Sequence, residues 1–250
     1  YTSKDLTKAV VIVNTASNID GRELTNVKEL VEDIRKSGGI LILDAAQGLT
    51  HHPELLHGVR YDALLSSAHK VYGPSLGVTV IAKTLYEQME FHYLGGSTVT
   101  DTTREGHTLY LDEQYHMLEP GLQNFAGIIG FGEALKWFQN FSHQGKGRLE
   151  YEQALVNQLY NGLKDLPIRM LNEKASSVVS FTHDKVDGHQ IGSLLSNQNI
   201  MCRTGYFCCH AYLVHDKNLP PLTRVSLGLY NTQEDVEKFL KTLKFITDNL

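Results

Sequence analysis

The first patterned stretch, residues 9–14 (AVVIVN), is a continuous apolar run rich in β-branched side chains. Such a run reads as a strand buried on both faces, the usual state of a strand inside a parallel sheet. Between residues 24 and 36 the period changes, because Val27, Leu30, Val31 and Ile34 recur at helical spacing. Gly38 and Gly39 follow, where a C-cap glycine ends a helix. Residues 40–43, 63–67 and 78–82 read as three further short strands. Strands alternating with helices predict an α/β unit with a mostly parallel sheet.

The pattern then fails from 91 to 114, where Gly95, Gly96, Ser97, Thr100, Thr102 and Thr103 predict a long surface loop. Loops of that length are often functional. An apolar helix is expected over 124–141, a polar connection over 142–147 and a more polar helix over 148–163. The domain boundary is placed there, giving a large domain over 1–141 and a smaller α+β domain over 142–250. Residues 168–171, 178–181, 200–202 and 222–227 read as short strands separated by helical stretches. The closing helix has Thr232 as N-cap and one stripe of Val236, Phe239, Leu240, Leu243 and Ile246.

Composition narrows the function classes. Hydrophobic residues make up 42% and charged residues 20%, and no apolar run approaches the ~20 residues of a membrane span. No membrane partner is expected. The 23 Lys and Arg against 28 Asp and Glu leave a net charge of −5, so there is no basic field for nucleic acid. The only cysteines, Cys202, Cys208 and Cys209, are too few and too local for a disulfide framework. Reduced thiols and a cytoplasmic location are expected, and residues 1–8 lack the order of a secretory signal. Cys202, Cys208, Cys209 and His210 contain no CxxC pair, so no metal is expected. His51, His52 and His57 show no ligand spacing and read as surface or capping residues.

Two short motifs carry the chemistry. DAAQ (44–47) and SSAHK (66–70) each stand at the C-terminal end of a predicted strand, the edge at which open α/β sheets bind ligands. A lysine after one strand and an acid at the end of its neighbour are what pyridoxal phosphate requires. The amine forms a Schiff base, and the carboxylate keeps the pyridine nitrogen protonated, which makes the ring an electron sink. Gln47 suits the phenolic oxygen, and the Ser67 hydroxyl with the His69 imidazole suits the phosphate. Singly, an Asp after a strand is most often a turn residue, and a lysine a solvated charge.

Six motifs in order, SNIDG (17–21), DAAQ, SSAHKVYGP, EPGLQNFAG (119–127), RTGYFC (203–208) and RVSLGLYNT (224–232), change those odds. From about Val10 to its end the chain resembles class V aminotransferase-fold enzymes of the group II cysteine desulfurase type. The resemblance implies a fold type I pyridoxal phosphate enzyme, seen here as a mostly parallel sheet domain followed by a smaller α+β domain. It makes Lys70 the cofactor lysine and Asp44 the partner of the ring nitrogen. Gln47 goes to the phenolic oxygen, and Ser67 and His69 to the phosphate. Asn18, which would also adjoin the cofactor, and Arg224 would hold the amino-acid substrate, L-cysteine or a related compound. A bidentate guanidinium suits an α-carboxylate. Arg203 would line the substrate entrance. Cys208 matches the nucleophile that takes the sulfur as a persulfide while alanine leaves. A homodimer and a sulfur-acceptor protein, in iron-sulfur or related biosynthesis, are implied as partners.

The sequence departs from that pattern in three places. Family members carry a substantial portion before the Asn18 segment, with a phosphate-binding helix N-terminus and a ring-stacking histidine, so the chain is expected to begin inside the large domain. Leu122 replaces the usual threonine that reaches the neighbouring subunit's phosphate. GYFCCHAY follows Arg203 where two histidines usually precede the cysteine. The alternatives are a related C–S lyase, a selenocysteine lyase, a molybdenum-cofactor-sulfurase-like enzyme, or a non-catalytic fragment of the fold.

Overall fold

A computed structural model describes residues 8–93, 95–109 and 117–250. The chain divides into two compact units. One is built from the segment ending at Val13, from Asn26–Ala46 and from Leu56–Trp137; the other comprises Asn14–Thr25, Gln47–Leu55 and Phe138–Leu250. The main break falls between Trp137 and Phe138, and residues 14–25 and 47–55 group with the C-terminal portion.

The first unit is organised by four strands, β1 (Val10–Asn14), β2 (Ile40–Asp44), β3 (Ala63–Ser67) and β4 (Gly77–Ile81), in the order β1-β2-β3-β4. β2 and β3 run parallel, with Asp44 opposite Leu65, and β4 returns antiparallel to β3. Helix α1 (Val27–Lys36) follows β1 and packs its apolar stripe on the sheet. Ile34, Leu41 and Leu43 are wholly buried, with Val11, Val13, Leu30 and Val31 against them. Each such aliphatic side chain is worth about 1.5–3 kcal/mol on burial. Gly38 takes a φ of 68° just beyond the helix, the left-handed step that ends it. The Asp62 carboxylate accepts from the Leu41 N–H at 2.8 Å and from Arg35 Nη1 at 2.9 Å, tying the end of α1 to β2.

Two expectations need correction here. Among the described residues β1 stands first in the strand order, and Val10 and Ile12 are 58% and 64% exposed, so the run expected to be buried on both faces is covered here on one. Its side chains alternate between the α1-facing side and solvent. The loop expected over 91–114 contains a hairpin, β5 (Val99–Thr103) with β6 (Gly106–Leu109). Threonine suits the pleated surface, and the turn closes as Thr103 Oγ1 donates to the Gly106 carbonyl at 3.2 Å. Residues 94 and 110–114 of that expected loop lie outside the described residues. Short helix α3 (Lys83–Tyr86) precedes the hairpin, and α4 (Phe125–Gln139) follows it.

The second unit opens with short helix α2 (Gly48–His51). After α4 come the hairpin β7 (Ser142–His143) and β8 (Lys146–Gly147), then helix α5 (Arg148–Lys164). β9 (Arg169–Met170), β10 (Val178–Thr182), helix α6 (Gly188–Ser196), β11 (Arg203–Gly205), β12 (Leu222–Ser226) and helix α7 (Gln233–Asp248) complete it. The sheet order is β11-β12-β10-β9, with antiparallel neighbours throughout. β10 is buried along its whole length. The strand expected over 200–202 lies further on, at 203–205, because pairing is decided by the ladder to β12 and not by hydrophobicity. Met201 is 96% exposed. Helix α7 starts as predicted, with Thr232 and Asp235 forming a reciprocal capping box. It lies close against α5: a Cβ on Gly162 would stand 2.3 Å from Leu240 Cδ1.

Candidate active site

In the first unit the candidate residues occupy the C-terminal ends of two neighbouring strands. Asp44 closes β2, half-buried, and its Oδ1 accepts from the Ala46 N–H at 3.0 Å. Parallel pairing sets it opposite Leu65, two residues before Ser67 closes β3. A single 3₁₀ turn, Ala68–Val71, follows and carries an exposed His69 and a half-buried Lys70. Tyr72, at φ 63°, ends the turn, and the Gly73 N–H returns to the Ala68 carbonyl at 2.9 Å. Gly73 fits closely there: a Cβ would stand 3.0 Å from both that carbonyl and the Phe131 ring, which would have to give by a few tenths of an ångström. The backbone thus fixes where Lys70 begins.

An amine, a carboxylate, a hydroxyl and an imidazole along one sheet edge are the donor set that pyridoxal phosphate takes. The residues present fit that group: Lys70 for the aldehyde carbon, Asp44 for the ring nitrogen, Ser67 and His69 for the phosphate. The Ser66 hydroxyl is buried with no hydrogen-bond partner among the described residues, so the end of β3 retains unused bonding capacity.

The second unit holds Asn18, Gln47, Arg203, Cys208 and Arg224. Arg203 and Arg224 are directly paired across β11 and β12, so two guanidiniums share one face, an arrangement that opposes folding unless an anion or acceptors compensate. Arg224 Nη1 donates to the Asn18 carbonyl at 2.6 Å, and its guanidinium stands 4.7 Å from the centre of the Phe207 ring. Its Nε is buried without a partner among the described residues. Burial, and then the Arg203 charge, lower its pKa, while the Cys208 and Cys209 thiols act in the opposite direction. That is the electrostatic signature of a guanidinium short of anionic partners.

Cys208 is exposed and follows the buried Phe207, and both have left-handed backbones, at φ 64° and 50°. The Asn18 carboxamide bonds this loop through Nδ2 to the Phe207 carbonyl at 3.0 Å and through Oδ1 to Cys209 Sγ at 3.8 Å. Cys202 is half-buried, and burial pushes its thiol pKa up.

Gln47 stands at the start of α2, and the helix after it is clamped at both ends. A Cβ on Gly48 would lie 2.1 Å from Thr15 Oγ1. At the other end His51 Nδ1 is paired closely with Glu152 Oε1, both largely buried. Glu152 also lies 4.0 Å from Arg148, whose Nη1 donates to the Thr50 carbonyl at 2.8 Å and whose guanidinium covers the Phe138 ring at 4.2 Å. His52 pairs with Glu23 at 3.1 Å and Glu54 at 3.4 Å. The reading of His51 as a surface or capping residue is therefore corrected, while His52 does stand at the C-cap of α2. The Arg148/Glu152 spacing of four was visible, but nothing in the sequence links position 51 to a carboxylate 101 residues away.

Comparison with known proteins agrees with this architecture. Residues 4–239 match the aminotransferase class-V family. The chain therefore belongs to the class-V aminotransferase family. Within it, a probable cysteine desulfurase of Haemophilus influenzae is 36% identical over 245 residues, covering 96% of this chain and 55% of that protein. The structure of a cysteine desulfurase from Thermococcus onnurineus superposes with a TM-score of 0.84 at 27% identity, over 98% of this chain and 62% of that one. The fold of cysteine desulfurase CsdA from Escherichia coli matches with a TM-score of 0.85 at 24% identity, over 97% and 60%. The chain thus spans less than two thirds of the length of these relatives.

Proposed function

We propose that the protein is a pyridoxal phosphate-dependent cysteine desulfurase, which takes sulfur from L-cysteine onto Cys208 as a persulfide and releases L-alanine. The observation that carries this reading is the placement of Lys70 and Asp44 after neighbouring parallel strands, in a chain of this family. When bound, pyridoxal phosphate supplies an electron sink beside the substrate α-carbon. Lys70 would hold the cofactor covalently and would be the amine available to move the α-proton. The Asp44 carboxylate would keep the ring nitrogen protonated, Gln47 would serve the phenolic oxygen, and Ser67 and His69 would hold the phosphate. Arg224 receives the substrate carboxylate with Asn18 and Arg203 beside it. The Cys208 thiolate would then attack the substrate sulfur, forming one S–S bond as the C–S bond breaks; the electron pair of that bond stays with the substrate carbon, which takes up a proton and leaves as alanine.

The working form is a cytoplasmic homodimer that passes its persulfide sulfur to an acceptor protein. Support for the dimer comes from α4, where Phe125, Ile128 and Ile129 form one exposed apolar face beside Leu122, itself 99% exposed. Contiguous apolar faces of this kind mark association surfaces. Among the described residues no helix is long and apolar enough to cross a membrane.

Borohydride reduction of the full-length, cofactor-loaded protein tests the reading. Peptide mapping should find the reduced cofactor on Lys70. Label on a different lysine, or none, removes the assignment.

A further inference from the structure

The turn that carries Cys208 has an unusual backbone. Phe207 and Cys208 are consecutive at φ 50° and 64°, and no other adjacent pair of non-glycine residues among the described residues has positive φ. The Cys209 N–H closes the turn on the Tyr206 carbonyl at 2.8 Å. Left-handed backbone at both central positions is the pattern of a type I′ turn, which ordinarily selects Asn, Asp or Gly. Phenylalanine and cysteine are poor choices for it. A conformation this unfavourable persists only when its surroundings over-determine it.

Those surroundings converge on Asn18. Its Nδ2 donates to the Phe207 carbonyl at 3.0 Å, and the Cys209 thiol donates to its Oδ1 at 3.8 Å, so one carboxamide grips the turn at two points. The Phe207 ring is buried in a cluster with Ile19, Leu213 and Leu222. Arg224 covers that ring at 4.7 Å and returns a hydrogen bond to the Asn18 carbonyl at 2.6 Å. The loop of contacts is closed: Asn18 holds the turn, the turn's aromatic residue underlies Arg224, and Arg224 holds Asn18. Cys208, at the tip, is left exposed.

We infer that Asn18 is a positioning residue for Cys208, and that Cys209 completes its grip on the turn. The inference deepens the proposed function, resting on Cys208 as the sulfur carrier, and gives the vicinal cysteines separate tasks. Cys208 reacts; the weaker thiol bond of Cys209 points inward and anchors. It also joins the guanidinium assigned to the substrate carboxylate to the thiol assigned to its sulfur through a single intermediate residue.

Amide hydrogen exchange of the cofactor-loaded full-length protein, read on a peptide spanning residues 206–210, tests the grip without relying on turnover. Asn18→Ala should raise exchange at the Cys209 amide by about tenfold or more, as a locally opened segment does. Desulfuration of L-cysteine should then lose at least about tenfold in kcat, over and above any rise in KM from the substrate contact that Asn18 also makes, because the positioning of Cys208 and not only ground-state binding is lost. Cys209→Ser, whose hydroxyl still donates to Asn18, should keep the protection, and Cys209→Ala should lose part of it. If Asn18→Ala does not fold, Asn18→Asp serves instead, because it replaces the donor to Phe207 with an acceptor and should open the turn in the same way. Unchanged exchange in the Asn18 variant, or a loss confined to KM, overturns the inference and leaves Asn18 as a substrate ligand. An opened turn in Asn18→Ala, with no persulfide formed even by the unsubstituted protein, would keep the grip and remove only the sulfur-transfer reading.

Discussion

In the first unit every side chain assigned to the cofactor stands at or just beyond a strand end: Asp44 closes β2, Ser67 closes β3, and His69 and Lys70 ride the turn that follows. In the second unit only Arg203 and Arg224 lie on strands. Asn18, Gln47 and Cys208 occupy segments between elements, two of them drawn from the N-terminal half of the chain. Strand-end groups inherit their position from a backbone ladder, so their geometry needs few side-chain supports. Groups on connecting segments need clamps. The second unit supplies these as Asn18 against the Cys208 turn, and as His51, Glu152 and Arg148 around α2.

The sharpest way to break the strand-end half of that comparison is Asp44→Ala. Turnover should fall at least a hundredfold as the charge opposite the ring nitrogen is lost, while borohydride still labels Lys70. Near-normal turnover would refute the role. On the clamped side, Glu152→Ala leaves Arg148 and His51 in a largely buried setting without their carboxylate, a change that costs about 3 kcal/mol. For a domain of this size that lowers Tm by roughly 6–12 °C. The comparison variant Glu133→Ala breaks an exposed pair with Lys136 and should move stability by no more than about 0.5 kcal/mol. Equal shifts in the two variants would show that α2 is not clamped.

The smallest effect concerns pH. Burial raises the Cys202 thiol pKa in the folded protein, so the fold favours the protonated form. That contribution is complete below the unfolded thiol value of about 8.5 and declines as pH rises above it. Melting profiles between pH 8 and 10 should therefore steepen less in Cys202→Ala than in the unsubstituted protein. Identical slopes would count against the buried thiol.

Legibility in the sequence follows the same division. Strands β1, β2 and β3, helix α1 with its Gly38 stop, and the capped stripe of α7 were all visible, because one-dimensional periodicity is the direct image of one-sided burial. The lysine and aspartate motifs were legible for a related reason: each follows its strand immediately. What was missed depends on contacts between distant residues. The β5/β6 hairpin is rich in threonine and charged residues and gives no apolar alternation. β11 is set by its ladder to β12, not by the apolar 200–202 that precede it. Nor does any local pattern announce that residues 14–25 and 47–55 join the C-terminal unit, or that the carboxamide of Asn18 meets a loop 189 residues away.

The central claim is that sulfur from L-cysteine comes to rest on one particular thiol. Mixing the full-length, cofactor-loaded protein with L-cysteine, trapping with an alkylating agent and mapping peptides by mass spectrometry reads this directly. A persulfide adduct on Cys208, lost in Cys208→Ser and retained in Cys209→Ser, is the predicted result. Alanine and sulfide released at the original rate by Cys208→Ser would contradict it, because the protein would then cleave the C–S bond without carrying the sulfur.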